Sequence, residues 1–202
     1  MAVITISRYF GAGGITLGRR LSHELGYRFV NDKLIAELAE KINISSEQIL
    51  SIEKRGTSRL EKLLDFIVSP SFLERHSDKY GYLTEQKYVA EVREITLKLY
   101  EQGNAVIIGR GGNYTLQDYP GTVHVLLVAD MEHRVRFLMK HYDMTEPQAE
   151  QAIERADMIR QRFLDCFAHQ HNHDDPRLYT ITLNMNHLTM DKAVELVKAL
   201  VS

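Results

Sequence analysis

Val3-Ile4-Thr5-Ile6-Ser7-Arg8-Tyr9-Phe10-Gly11-Ala12-Gly13-Gly14-Ile15-Thr16-Leu17-Gly18-Arg19-Arg20-Leu21 joins an apolar run, a glycine turn and an amphipathic stretch without interruption. Val3 to Ser7 has the length and β-branched content of a buried strand. Leu17 to Leu25 carries apolar side chains at helical spacing, and Gly26 is placed to stop the helix. A strand that turns through glycines into a helix aims several backbone N–H groups at one point. Those groups, with the helix dipole behind them, form a ready cradle for phosphate.

The P-loop pattern G-x-x-x-x-G-K-[ST] fits only in part. Gly13 serves as its second glycine and Thr16 is a threonine close behind, but Arg8 holds the first glycine position and Gly14 that of the lysine. The dinucleotide pattern G-x-G-x-x-G fits less well, because position 16 is Thr16; Asp32 is the one acidic residue that would suit a ribose. A turn that serves packing alone is the third reading.

The rest of the chain sets the frame. Its 202 residues, 44% hydrophobic, are enough for one compact domain spanning 1–202. The net charge of −2 gives no global basic field for nucleic acid. The chain has no apolar run of spanning length and no secretory leader pattern at its start, so no membrane partner is expected. Its one cysteine, Cys166 in Phe163-Leu164-Asp165-Cys166-Phe167, reads as a packed thiol and fits a reducing, cytoplasmic setting.

Strand-like and helix-like patterns alternate, which favours an α/β fold with a parallel sheet. Strands are expected over Tyr27–Val30, Ala105–Ile108, Val123–Val128 and Tyr179–Met185, and helices over Lys33–Lys41, Gln86–Gln102, Glu132–His141 and Asp191–Val201. Thr145-Glu146-Pro147 marks a helix start, with Thr145 as N-cap. Ala152, Ala156, Ile159, Phe163 and Phe167 then recur at spacings of 3 and 4, so that face turns inward. Residues 57–84, with Pro70 and Gly81, read as an insertion with helical pieces.

Four phrases, in order, resemble the cytidylate-kinase-like branch of the nucleoside monophosphate kinases. They are Ile6 to Gly14 with Leu17-Gly18-Arg19, Val106-Ile107-Ile108-Gly109-Arg110-Gly111-Gly112-Asn113, Ile153 to Arg162, and Asp175-Pro176 with Tyr179 to Asn184. The resemblance implies a three-layer P-loop NTPase fold: a five-stranded parallel sheet in order 2-3-1-4-5 with helices on both faces. It also implies a helical insertion at about 45–102, a lid region at about 145–177, and Mg²⁺-assisted transfer of the terminal phosphoryl of ATP to a nucleoside monophosphate.

On that resemblance the backbone of Gly11, Ala12, Gly13, Gly14, Ile15 and Thr16 would hold the donor phosphates. The Thr16 hydroxyl would meet Mg²⁺, or else cap the helix. Arg8 is the candidate to supply the cation that Gly14 lacks, with Arg19 and Arg20 read as surface charge. Asp32 would face the acceptor or cap the next helix. Arg110 would grip the acceptor phosphate through paired hydrogen bonds, with Asn113 as a polar contact or a turn residue. Residue 111 is glycine where cytidylate kinases carry an aspartate. Arg155 and Arg162, seven apart and so on one side of a helix, are the lid candidates, with Arg160 next and Asp157 as its expected pair. The expected ligands are a nucleotide and a small-molecule acceptor, and the long helix over Gln86–Gln102 leaves room for a homodimer. A nucleotide-binding or regulatory protein with the same fold and little turnover is the alternative, because the lysine is absent.

His169-Gln170-His171-Asn172-His173-Asp174-Asp175 has metal-capable donors. It lies between a helix and a strand, without rigid i, i+4 spacing. It is therefore read as a loop that touches the nucleotide or nothing.

Overall fold

The computed structural model describes residues 2–31, 81–168 and 172–201. Asp32, the helix expected over Lys33–Lys41 and most of the expected insertion lie outside them. Five strands form one parallel sheet in the order β2-β3-β1-β4-β5. They are β1 (Val3–Arg8), β2 (Arg28–Val30), β3 (Ala105–Ile108), β4 (Thr122–Val128) and β5 (Ile181–Asn184). The order expected from sequence is the order found. The helices are α1 (Gly14–Leu25), α2 (Gly81–Gln102), a one-turn α3 (Gly112–Thr115), α4 (Met131–Tyr142), α5 (Glu146–Asp165) and α6 (Met190–Lys198).

The pleat sorts the strand side chains. Ile4 and Ile6 of β1, with Val106 and Ile108 of β3 and Val125 and Leu127 of β4, pack on α1 and α6 through Leu17, Leu21, Val194 and Val197. Val3, Ala105 and Ile107 point the other way, onto Ile95 and Leu99 of α2. Strands buried on both faces read as continuous apolar runs, which is why β1, β3 and β4 were legible in the sequence. A third cluster joins α4 and α5 through Val135, Leu138, Ala149, Ala152 and Ile153, with Phe10 against it. The α4–α5 hairpin is thereby tied to the glycine turn.

Helix ends follow local chemistry. Asp130 caps α4 by accepting from the His133 N–H at 2.7 Å. Thr145 and Gln148 form a reciprocal capping box at the start of α5. Helix α1 begins at Gly14, three residues before the periodic pattern. Gly13 takes the N-cap place in a left-handed conformation, φ 88°. Thr16 therefore lies inside the first turn, not at its cap. Among the described residues no helix is long and apolar enough to cross a membrane.

Candidate active site

The candidate site lies at the C-terminal ends of β1 and β3, where ligands gather in open α/β sheets. Leaving β1, the Tyr9 N–H donates to the Leu127 carbonyl at 2.9 Å, and the Ala12 N–H returns to the Tyr9 carbonyl at 3.1 Å. Gly11 and Gly13 both hold positive φ, at 84° and 88°. The Leu17 N–H donates to the Gly13 carbonyl and starts the helical ladder. The N–H groups of Gly14, Ile15 and Thr16 precede that ladder and have no intrahelical acceptor. A pocket opens beside them, bordered by Arg8, Tyr9, Phe10, Phe137 and Tyr142.

Arg8 ends β1 and folds back over this turn. A Cβ on Gly14 would lie 2.8 Å from its Cγ and 3.0 Å from its Cβ. Its Nη1 rests against Gly109 at the end of β3. The arginine chain thus covers the place a P-loop lysine would leave from, and its charge stands between the two strand ends.

The turn after β3 is built from three successive left-handed residues: Gly109 at φ 66°, Arg110 at 57° and Gly111 at 62°. Such a conformation at a non-glycine costs about 1 kcal/mol or more and marks a constrained position. Arg110 Cζ lies 5.7 Å from the Phe163 ring centroid on α5. A Cβ on Gly111 would overlap the Phe167 ring. Phe163 and Phe167 are 5.1 Å apart, and Arg93 of α2 stacks on Phe167 at 5.6 Å and donates to its carbonyl at 2.8 Å. Asn113, in α3, is 5% exposed, and its Nδ2 has no hydrogen-bond partner among the described residues. A buried carboxamide of that kind calls for a ligand or water.

Two further arginines converge on Tyr9. Arg134 of α4 and Arg160 of α5 place Cζ 5.2 and 5.6 Å from its ring centroid. Arg134 donates to Asp157 at 2.6 Å, and Asp157 also accepts from the Phe10 N–H at 3.4 Å. Arg160 donates to Asp174 at 2.6 Å, and the Tyr9 hydroxyl donates to the same carboxylate at 3.1 Å. The Asp157–Arg160 pair expected from helical spacing is therefore replaced by two cross-element pairs. Burial works against the charge of Arg160, but Asp174 more than offsets it and leaves the guanidinium above its usual pKa. Burial, with Asp174 adding to it, raises the Tyr9 hydroxyl too.

Arg155 and Arg162, the lid candidates, are exposed on α5, and Thr16 is exposed in the first turn of α1. Arg134 carries no local signal in the sequence. It sits in a charged helix, and its partner is 23 residues away on another one. His173 is 1% exposed, with Nδ1 2.6 Å from the Tyr114 hydroxyl and Nε2 2.8 Å from the Asp165 carboxylate. It is a fixed structural element and not an idle loop residue. Among the described residues no three His, Cys, Asp or Glu side chains group as metal ligands.

A parallel 2-3-1-4-5 sheet with a glycine turn opening the first helix is the fold of the P-loop kinases. The chain belongs to the cytidylate kinase-like family, whose model matches residues 3–187. An uncharacterized protein from Eubacterium ventriosum has a similar structure at TM-score 0.70 and 17% identity, covering 100% of this chain and 98% of that one. Shikimate kinase from Bacteroides thetaiotaomicron follows at TM-score 0.52 and 16% identity, covering 99% and 98%. Shikimate kinase from Acinetobacter baumannii, in complex with shikimate, gives 0.51 and 14%, covering 100% and 93%. No curated protein matches the chain.

Proposed function

We propose that the protein transfers the terminal phosphoryl of ATP to a small acceptor, with a nucleoside monophosphate as the acceptor class. Family membership supports phosphoryl transfer. The observation that carries the reading for this chain is the course of Arg8 across Gly14 to Gly109. It returns a positive charge to a phosphate cradle whose own lysine is absent, and places it on the side of the incoming acceptor. Phosphoryl transfer asks the protein mainly for position and charge.

The glycine turn fits a polyphosphate, because Gly14, Ile15 and Thr16, whose N–H groups precede the helical ladder, line the pocket, while Gly11 and Gly13 supply the positive φ of the turn and pack against Arg134 and Met190. Mg²⁺ keeps most of its waters and needs few protein oxygens; the exposed Thr16 hydroxyl is the one this turn offers. Arg110 would bind the acceptor phosphate, with Asn113 beside it. Arg134 and Arg160 would add charge from the α4–α5 side, with the exposed Arg155 and Arg162 further out. Asp32 belongs to the acceptor side on the family pattern. We place the enzyme in the cytoplasm, with nucleotide and acceptor as its ligands; the long α2 is the surface for a homodimer.

A coupled ADP-release assay over nucleoside monophosphates and hydroxyl acceptors tests this. Acceptor-dependent release that Arg110→Ala abolishes is the expected result. ATP binding without release under any acceptor supports the alternative, a nucleotide-binding protein with little turnover, which the glycine at position 14 favours.

A further inference from the structure

The Arg160 guanidinium is held by one corner. Two hydrogen bonds leave from Nη2, to Asp174 Oδ1 at 2.6 Å and to Ser7 Oγ at 3.2 Å, and the Tyr179 hydroxyl lies against the same guanidinium. The N–H groups on Nη1 and Nε are not used by either. The side chain is only 14% exposed, so it has little freedom to turn. A guanidinium is a planar fork with fixed donor directions. Fixing one corner therefore fixes where the other donors point, and a ligand anion meets them without rotamer entropy to remove. Asp174 holds the arginine by a second route as well. It accepts from the Tyr9 hydroxyl, whose ring lies under the guanidinium.

Asp174 is itself anchored through its neighbour. His173 is wedged between Tyr114 of α3 and Asp165 at the end of α5, and its carbonyl accepts from the Tyr179 hydroxyl at 2.7 Å. Three separate segments thus fix the residue before Asp174. The chain Tyr114–His173–Asp174–Arg160 runs from the turn after β3 to the phosphate cradle.

We propose that Asp174 is a positioning residue: it sets Arg160 so that Nη1 and Nε face the phosphates of a bound polyanion, and the His173 wedge sets Asp174. The proposal rests on the phosphoryl-transfer reading. Asp174 takes one nitrogen of Arg160 and leaves the rest of the fork to the ligand, so the carboxylate orients the arginine more than it competes for it.

Titration calorimetry with inorganic tripolyphosphate on the full chain tests it in four proteins: wild type, Asp174→Asn, Arg160→Ala and the double variant. Asp174→Asn is expected to weaken binding about tenfold in the wild-type background, and less than about twofold once Arg160 is alanine. Equal losses in both backgrounds overturn the proposal, and so does tighter binding by Asp174→Asn, which would make the carboxylate a competitor. Wild type that binds no tripolyphosphate removes the phosphoryl-transfer reading and this inference with it. Wild type that binds while Asp174→Asn binds equally well removes this inference alone. If Asp174→Asn does not fold, Tyr114→Phe reads the same coupling through His173. A loss that disappears in the Arg160→Ala background supports the chain, and a loss of equal size in both overturns it.

Discussion

Arg8 and Gly14 share one space: the aliphatic chain of the arginine fills the volume into which a side chain at position 14 would grow. The absent lysine and the arginine at the strand end are thus two halves of one change. The φ of Gly14 is not positive, so the obstacle at that position is contact and not backbone strain.

Restoring the lysine alone is therefore expected to harm the protein. Gly14→Lys must displace Arg8 near its root, and overpacking of that kind costs about 1–3 kcal/mol. Arg8→Ala is expected to weaken binding of a non-hydrolysable ATP analogue by about tenfold to a hundredfold, the scale of one charge-assisted hydrogen bond. The double variant, Arg8→Ala with Gly14→Lys, is expected to bind better than either single one. Calorimetry on the three proteins checks this. A double variant no better than Arg8→Ala would separate the two positions.

Gly111 carries the second departure from the cytidylate-kinase pattern, and its reason is structural. Its φ is 62°, and the Phe167 ring occupies the place of a Cβ. Gly111→Asp is expected to lower stability by about 2 kcal/mol or more through left-handed strain and displacement of the ring. It is not expected to add cytidine recognition. Thermal melting, with the acceptor panel as second readout, checks both. A stable Gly111→Asp that gains activity on cytidine monophosphate would show that the ring moves aside.

The sheet was legible because β1, β3 and β4 are buried on both faces and mostly apolar, with Thr5, Ser7 and His124 as the buried polar exceptions, and the glycine turn because its φ demand is written as glycine. Arg8 and Arg110 could be singled out, since one ends β1 and the other lies in the turn just after β3, at the ligand edge. Arg134 and Asp174 could not. Each takes its meaning from a partner on another element, Asp157 and Arg160, and no local period records such a pair. Helical spacing suggested Asp157 with Arg160. The fold gives Asp157 instead to an arginine of the neighbouring helix. His173 looked like part of a metal-capable run, yet its two ring nitrogens are taken by Tyr114 and Asp165, which the sequence places 59 and 8 residues away.

The Arg134–Asp157 bridge joins α4 to α5 beside the glycine turn. The Arg134 side chain is 8% exposed and that of Asp157 34%. Asp157→Ala would leave a nearly buried guanidinium without its carboxylate. A loss of about 2–3 kcal/mol is expected, below the cost for a fully buried pair because Asp157 is partly hydrated. Urea unfolding should show a lower midpoint with unchanged slope. The exposed pair of Lys98 and Glu94 on α2 is the control, and Glu94→Ala should not move the midpoint measurably.

His124 gives the fold a dependence on pH away from the site. Its ring is buried in β4, 2.7 Å from the Thr5 hydroxyl. Burial holds its pKa below the ordinary 6.5, while the Leu116 carbonyl pulls weakly the other way. The folded chain therefore takes up this proton at lower pH than the unfolded chain does. Between the two values the unfolded state binds more protons, so stability rises with pH there and is fully present above about 6.5. Acidification from pH 7 towards 5 should lower the melting temperature of the wild type more steeply than that of His124→Gln. One proton contributes at most about 1.4 kcal/mol per pH unit to that difference. The comparison rests on the slope, so a uniformly less stable His124→Gln still answers it. Parallel slopes would assign the acid sensitivity to other groups.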